Sequence, residues 1–218
     1  MRFLDTILDI VFPVNCVSCG HAGSLFCPEC LVGSPTNERE NFPWIFSIFN
    51  YRHPPIRKAL WLLKYKGKKR LAQTFAENMH PYILEDISEL ALMENFREPF
   101  LIPIPLSHAR QRERGYNQAE LLCDALALLD GSENFEVIKN VLLKIKDTKR
   151  QAHIENRGER LKNIVGAFAV KESEREKIKD RNIILIDDIS TTGATLHEAR
   201  KILKEAGARK VIAFTIAH

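Results

Sequence analysis

Residues Ile183 to Thr195 read IILIDDISTTGAT, and this stretch decides the fold. Ile183 to Ile186 form a run of four apolar residues, short and rich in β-branching, the pattern of a strand buried on both faces. The run leads into two carboxylates, Asp187 and Asp188, and then into a small hydroxyl-rich loop, Ser190-Thr191-Thr192-Gly193-Ala194-Thr195. Leu196 to Ala206 follow with the spacing of a helix that stops at Gly207. Backbone N–H groups of a Gly-containing loop that opens a helix can wrap a phosphate, aided by the helix dipole and by hydroxyl donors. A nucleoside triphosphate loop carries Lys after its Gly, and Gly193-Ala194-Thr195 has none. Two acids just before the loop can accept from neighbouring hydroxyls of a ribose whose 5'-phosphate lies in it. The plainer alternative is a βα turn in which the acids only cap the helix.

IILIDDISTTGAT resembles the phosphoribosyl pyrophosphate (PRPP) motif of the type I phosphoribosyltransferases. The resemblance implies an α/β fold, a mostly parallel central sheet flanked by helices. It places the ribose on Asp187 and Asp188, the 5'-phosphate on Ser190 to Thr195, and Mg2+ with the pyrophosphate. In the purine-salvage branch an acid stands at the loop position of Thr191, so the Thr argues against purine salvage.

Upstream, FLIPIPL at Phe100 to Leu106 alternates Pro103 and Pro105 in an apolar run, which reads as a strand near a sheet edge or ending at the second Pro. A basic turn with Arg110, Arg112 and Arg114 follows, then Gly115 as a hinge, and Asn117 as a cap with Glu120 three residues on. A second strand-turn-helix unit can bring its turn beside the first. By order along the chain, Ser107, Arg110 and Arg114 are the candidates for the pyrophosphate, with an exposed basic loop as the bland alternative. Val137 to Lys144 reads as one more strand. Between Lys144 and Lys162 there are seven Lys or Arg against three acids, and Lys149 and Arg150 could close over a pyrophosphate from such a loop. Lys144, Lys146 or Lys149 could serve as a transfer lysine, as in other branches of the family.

The amino-terminal part differs. Phe3, Leu4, Ile7, Leu8, Val11 and Phe12 have helical spacing around Asp5 and Asp9, the pattern of a short docking helix too acidic for a membrane span. Cys16-x2-Cys19 and Cys27-x2-Cys30 are two knuckles seven residues apart, able to offer four thiolates to one structural Zn2+. Disulfides are the rival reading, against which stands the lack of any secretion signal. Cys123 lies in an apolar helical segment and reads as core. The expected division is residues 1–40 for the helix and knuckle and 41–218 for the phosphoribosyltransferase-like domain.

In 218 residues the hydrophobic share of 45% and charged share of 28% are those of an ordinary globular protein. A net charge of +4 makes any nucleic-acid argument depend on where the charge lies. Eight Lys or Arg and no acid stand between Arg52 and Arg70, among them Lys64, Lys66, Lys68, Lys69 and Arg70. Tyr51, Trp61 and Tyr65 among them could stack bases of single-stranded DNA, or belong to the core. Leu71 to Glu98 reads as helical, with Pro81 beginning a new segment.

The four-Cys knuckle, LKYKG, IPIPLSHARQRERGYNQAELL, TKRQAHIENRGERLKN and IILIDDISTTGAT, in that order over nearly the whole chain, together resemble the ComF (ComFC) family of competence proteins. That resemblance implies a cytoplasmic, zinc-containing, phosphoribosyltransferase-like protein of DNA uptake and natural transformation, with single-stranded DNA as a ligand and a competence translocase as a companion. An active Mg2+-dependent transferase with an unidentified nitrogen acceptor is the alternative.

Overall fold

The structure, a computed structural model, describes residues 14–37, 42–146 and 163–218. Its centre is a five-stranded, wholly parallel sheet in the order β1-β7-β6-β2-β3. The strands are β1 (Ile45–Phe49), β2 (Phe100–Pro103), β3 (Glu136–Val137), β6 (Asn182–Ile189) and β7 (Lys210–Ala217), while β4 (Leu142–Lys144) and β5 (Phe168–Val170) form a separate antiparallel pair. Parallel sheets need both faces covered, and β6 and β7 have the sequence for it: Ile183 to Ile186 and Val211 to Ala217 are all buried.

The helices are α1 (Pro28–Val32), α2 (Pro54–Tyr65), α3 (Arg70–Glu94), α4 (His108–Arg114), α5 (Gln118–Asp130), α6 (Arg175–Ile178) and α7 (Ala194–Glu205). From β6 the chain crosses by α7 to β7 on one side, and from β2 by α4 and α5 to β3 on the other. Right-handed crossovers in opposite directions put α5 and α7 on opposite faces. α3 lies against α5, burying Leu71, Phe75, Met79, Ile83 and Ile87 along one stripe. β6 and β2 are neighbours from which the crossovers diverge, so a crevice opens beyond their carboxyl ends, where α/β folds bind ligands.

Several local expectations are corrected. Pro81 starts no new segment: α3 runs through it to Glu94, giving up only the bond that an N–H at 81 would donate to the Glu77 carbonyl. FLIPIPL, by contrast, keeps its expected place near an edge, with only the two-residue β3 outside it, and its Ile104 N–H donates to Ile186 O at 2.9 Å. Pro103 stands at the alternate register, on the side where the two-residue strand β3 has already ended, so its missing N–H leaves no ladder bond broken. Arg110 to Arg114 belong to a helical turn closed by Gly115 at φ 75°, not to a loop. Val137 to Lys144 splits between β3 and β4, which join different sheets. Strand β6 carries on through Asp187 and Asp188 to Ile189. The 1–12 helix and the lysine-rich centre with Lys149 and Arg150 lie outside the described residues.

Candidate functional site

A cavity of about 390 Å3 occupies the crevice beyond β2 and β6. One wall is the end of β6 and its loop, with Asp187, Asp188, Thr191 and Thr195; a second is Ile104 to Leu106 with Arg110 and Arg114 of α4 and the start of α5; a third is the α2 face with Leu60, Trp61, Lys64 and Tyr65. Lys144 at the end of β4 also reaches it.

The acid pair is built by the strand. Successive residues of a strand point to opposite faces, and here the strand end lets both carboxyls reach the cavity. Asp187 accepts from the Asp188 N–H at 2.8 Å, and Asp188, buried, pairs with the Lys64 ammonium at 3.0 Å. Burial and the adjoining Asp188 carboxylate push the Asp187 carboxyl up to about 7, while Lys64 and Lys144 oppose the rise.

Beyond the acids, the Ser190 N–H donates to Ala217 O at 3.0 Å, and Thr192 Oγ1 accepts from the Ala194 N–H at 3.4 Å. Gly193 turns the loop into α7 at φ 71°, and a Cβ there would lie 3.2–3.3 Å from Phe42, His197 and Ile45. The loop thus rests on a ring stack: Phe42 and Trp44 meet His197 edge-on at 4.3 and 4.9 Å, with the Arg200 guanidinium over Trp44. Of Ser190 to Thr195, Thr191 and Thr195 line the cavity itself.

Arg114 is fixed twice, by donating to Gln118 Oε1 at 2.8 Å and by lying 5.1 Å from the Tyr65 ring centre. Ser107 is buried at the start of α4, outside the cavity lining, and its carbonyl accepts from Gln111 N–H. Asn117 caps α5 as the spacing foretells: its side-chain oxygen accepts from the Ala119 N–H, and its amide donates to Ile104 O and to Glu120. One residue thereby joins the end of β2 to the start of α5.

The basic stretch divides. Lys64 faces the cavity, whereas Lys66, Lys68 and Lys69 are exposed on the turn between α2 and α3, and Arg70 is exposed at the start of α3. Trp61 and Tyr65 are 47% and 46% exposed, so these aromatics are not core, while Tyr51 is half-buried against it. Lys66 lies over Trp61 at 5.1 Å, and Lys69 over Tyr116 at 4.7 Å. The sequence reading missed the separate place of Lys64. Its signal was present: Lys64 follows the buried Leu60 by four residues and Leu63 by one, at the border of the apolar stripe. Asn117 was legible as a helix cap but not as cavity lining, and Gln118 beside it was not singled out.

At the amino end, Cys16, Cys19, Cys27 and Cys30 bring their sulfurs within 4.8 Å of one another, and all are free thiols. Cys19 and Cys27 sulfurs are 3.7 Å apart, close to the roughly 3.8 Å edge of a tetrahedron with Zn–S bonds of about 2.3 Å. The Ser18 and Cys27 N–H groups point at the Cys16 sulfur at 3.4 and 3.5 Å, as thiolate acceptors require. Although the Cys30 amide lowers it, burial and the neighbouring thiols push Cys27 up to about 12. Four sulfurs this close form a ready tetrahedral ligand set, and the cluster fits zinc. Phe26, between the knuckles, is buried edge-on to Phe75 of α3, so the module shares the main core.

A parallel sheet with an acid pair and a Thr/Gly loop at its switch point is a phosphoribosyltransferase fold, here carrying a four-cysteine cluster. Residues 129–218 match the family model described as phosphoribosyl transferase domain. Competence protein ComFC of Streptococcus pneumoniae is 36% identical over 97% of this chain and 84% of its own length. Competence protein F of Haemophilus influenzae is 28% identical, over 91% and 83%. The DNA utilization protein YhgH of Salmonella typhimurium is 27% identical, over 90% and 80%. A hypoxanthine phosphoribosyltransferase structure from Trypanosoma cruzi aligns at a TM-score of 0.39 and 14% identity over 67% of this chain and 64% of that one; the sequence relatives, not this likeness, define the family. The chain belongs to the ComF (ComFC) family.

Proposed function

We propose that this protein takes part in DNA uptake and natural transformation, holds PRPP or phosphoribose in the cavity at the switch point, and binds single-stranded DNA on the surface beside it. The observation that carries the ligand is the charge of one cavity. Among the described residues, Lys64, Arg110, Arg114 and Lys144 line it with Asp187 and Asp188, an excess of positive charge around a diol-binding pair. A phosphorylated sugar matches both features. The names of the relatives support the DNA role, and so does the rim of the cavity. Trp61 and Tyr65 offer exposed ring faces next to Lys66, Lys68 and Lys69, the combination that single strands need. The four thiolates hold one structural zinc. No helix among the described residues is long and apolar enough to cross a membrane.

Calorimetry tests the ligand: Asp187→Ala with Asp188→Ala abolishes the heat of ribose 5-phosphate binding, and unchanged affinity would refute the assignment. For the strand, neutralising Lys66, Lys68 and Lys69 weakens single-strand binding and lowers its salt slope by roughly 2, at about 0.7 per phosphate contact. A slope that stays the same removes the turn from the interface.

A second reading, Mg2+-dependent phosphoribosyl transfer to a nitrogen acceptor, draws on the room left in the cavity between the acid pair and the Trp61 and Tyr65 wall. Pyrophosphate release from PRPP with a panel of bases decides between the two: release with any base establishes transfer, and none across the panel leaves binding.

A further inference from the structure

The acid pair already has a cation. Lys64 Nζ lies 3.0 Å from Asp188 Oδ1, with only 19% and 9% of the two side chains accessible. The pairing is held by the fold. Leu60 and Leu63 bury the same edge of α2, and the Tyr116 hydroxyl donates to the Leu63 carbonyl, tying the end of α2 to the turn before α5. An ammonium carries three N–H donors, of which Asp188 takes one, and Lys64 also lines the cavity. Lys144 lines it too, so two lysines balance two acids.

A divalent ion fits this arrangement poorly. Mg2+ demands near-octahedral oxygens at about 2.1 Å, and the ammonium fills the space beside Asp188 while repelling a second cation. The geometry points to Lys64 as the built-in cation of the diol site, bridging Asp188 to the ligand's oxygens so that the sugar is held at the acid pair without a metal ion there. The inference rests on the phosphoribose reading for its ligand, though not for its claim about metal. A divalent ion that enters with PRPP then belongs to the pyrophosphate and not to Asp187 and Asp188.

Mn2+, read by electron paramagnetic resonance on the full-length zinc-loaded protein, probes the pair directly. The native chain is expected to leave Mn2+ free, while Lys64→Met gains one bound Mn2+ that Asp188→Asn removes, and Lys64→Arg behaves as the native chain. In calorimetry the native, zinc-loaded chain binds ribose 5-phosphate equally with Mg2+ and in buffer to which no divalent ion is added. Lys64→Met loses about tenfold or more without Mg2+, the loss of a hydrogen bond from a charged donor, and recovers part of it with Mg2+. Mn2+ bound by the native chain and lost with Asp188→Asn overturns the inference, as does Mg2+-dependent binding of ribose 5-phosphate. If Lys64→Met does not fold, the native and Asp188→Asn measurements still decide. Ribose 5-phosphate that binds neither with nor without added Mg2+ sinks the phosphoribose reading instead, and the Mn2+ result continues to judge Lys64.

Discussion

Asp187 carries a carboxyl raised to about 7 by burial and by Asp188. In the unfolded chain it returns to about 3.9. The folded state therefore binds its proton more tightly, so the stability this group lends is complete below about pH 4, is lost as pH rises through 7, and stays lost above. Asp187→Asn removes the titration. In urea unfolding, the variant should gain on the native protein by about 2 kcal/mol between pH 5.5 and pH 8; parallel curves would show that the carboxyl titrates normally. Gly193 makes a different demand. It needs φ 71° and has Phe42, His197 and Ile45 within 3.3 Å of where a Cβ would stand. Gly193→Ala should cost roughly 1–2 kcal/mol of stability from the left-handed backbone alone and weaken ribose 5-phosphate binding, because the loop must shift. The glycine that turns this loop into the helix was legible from the sequence. The ring stack behind it was not, since Phe42, Trp44 and His197 meet only when β1 takes the edge beside β7.

At the scale of elements, α2 shows how one helix serves two surfaces. Its Ile56, Ala59, Leu60 and Leu63 enter the core, Lys64 reaches the acid pair, and Trp61 and Tyr65 stay at the rim. Charge counting treated Lys64 to Arg70 as one patch, whereas α2 ends at Tyr65: Lys64 keeps its place on the helix face that meets the cavity, and the others follow on the turn and at the start of α3. The β2-to-α5 connection was more legible. Asn117 and Glu120 have capping spacing, and the structure adds the Asn117 amide donating to Ile104 O at 3.0 Å. Asn117→Ala removes the cap and leaves a buried carbonyl unpaired, so a loss of about 2 kcal/mol in denaturant unfolding is expected, larger than for an exposed cap. In FLIPIPL the missing donor of proline pointed to a place near the edge, and that Pro103 breaks no ladder bond depends on where β3 ends.

Across the whole molecule, the cysteine module and the sheet domain share one core. Cys16, Phe26, Cys27 and Leu31 are continuous with Phe75 and the rest of the buried set. Losing the metal should therefore unsettle more than the knuckle. Cys27→Ser is expected to lose the bound zinc by metal analysis and to lower the melting temperature by roughly 5–10 °C, given about 2–4 °C per kcal/mol in a chain of this size. A metal-free variant that melts like the native protein would mean that the module folds apart from the core. The sequence by itself determined the parallel α/β class, the acid pair with its Thr/Gly loop, and the four-thiol set. Each is a local pattern whose residues lie within about fifteen positions of one another, close enough for spacing to encode geometry. Only the tertiary structure decided which cations face the acids. Lys64, Arg110, Lys144 and Asp188 come from four separate elements, and their meeting follows from strand order and crossover direction, which no local pattern records. So IILIDDISTTGAT announced the acid pair and its loop, and the fold supplied the lysine that sits on the pair.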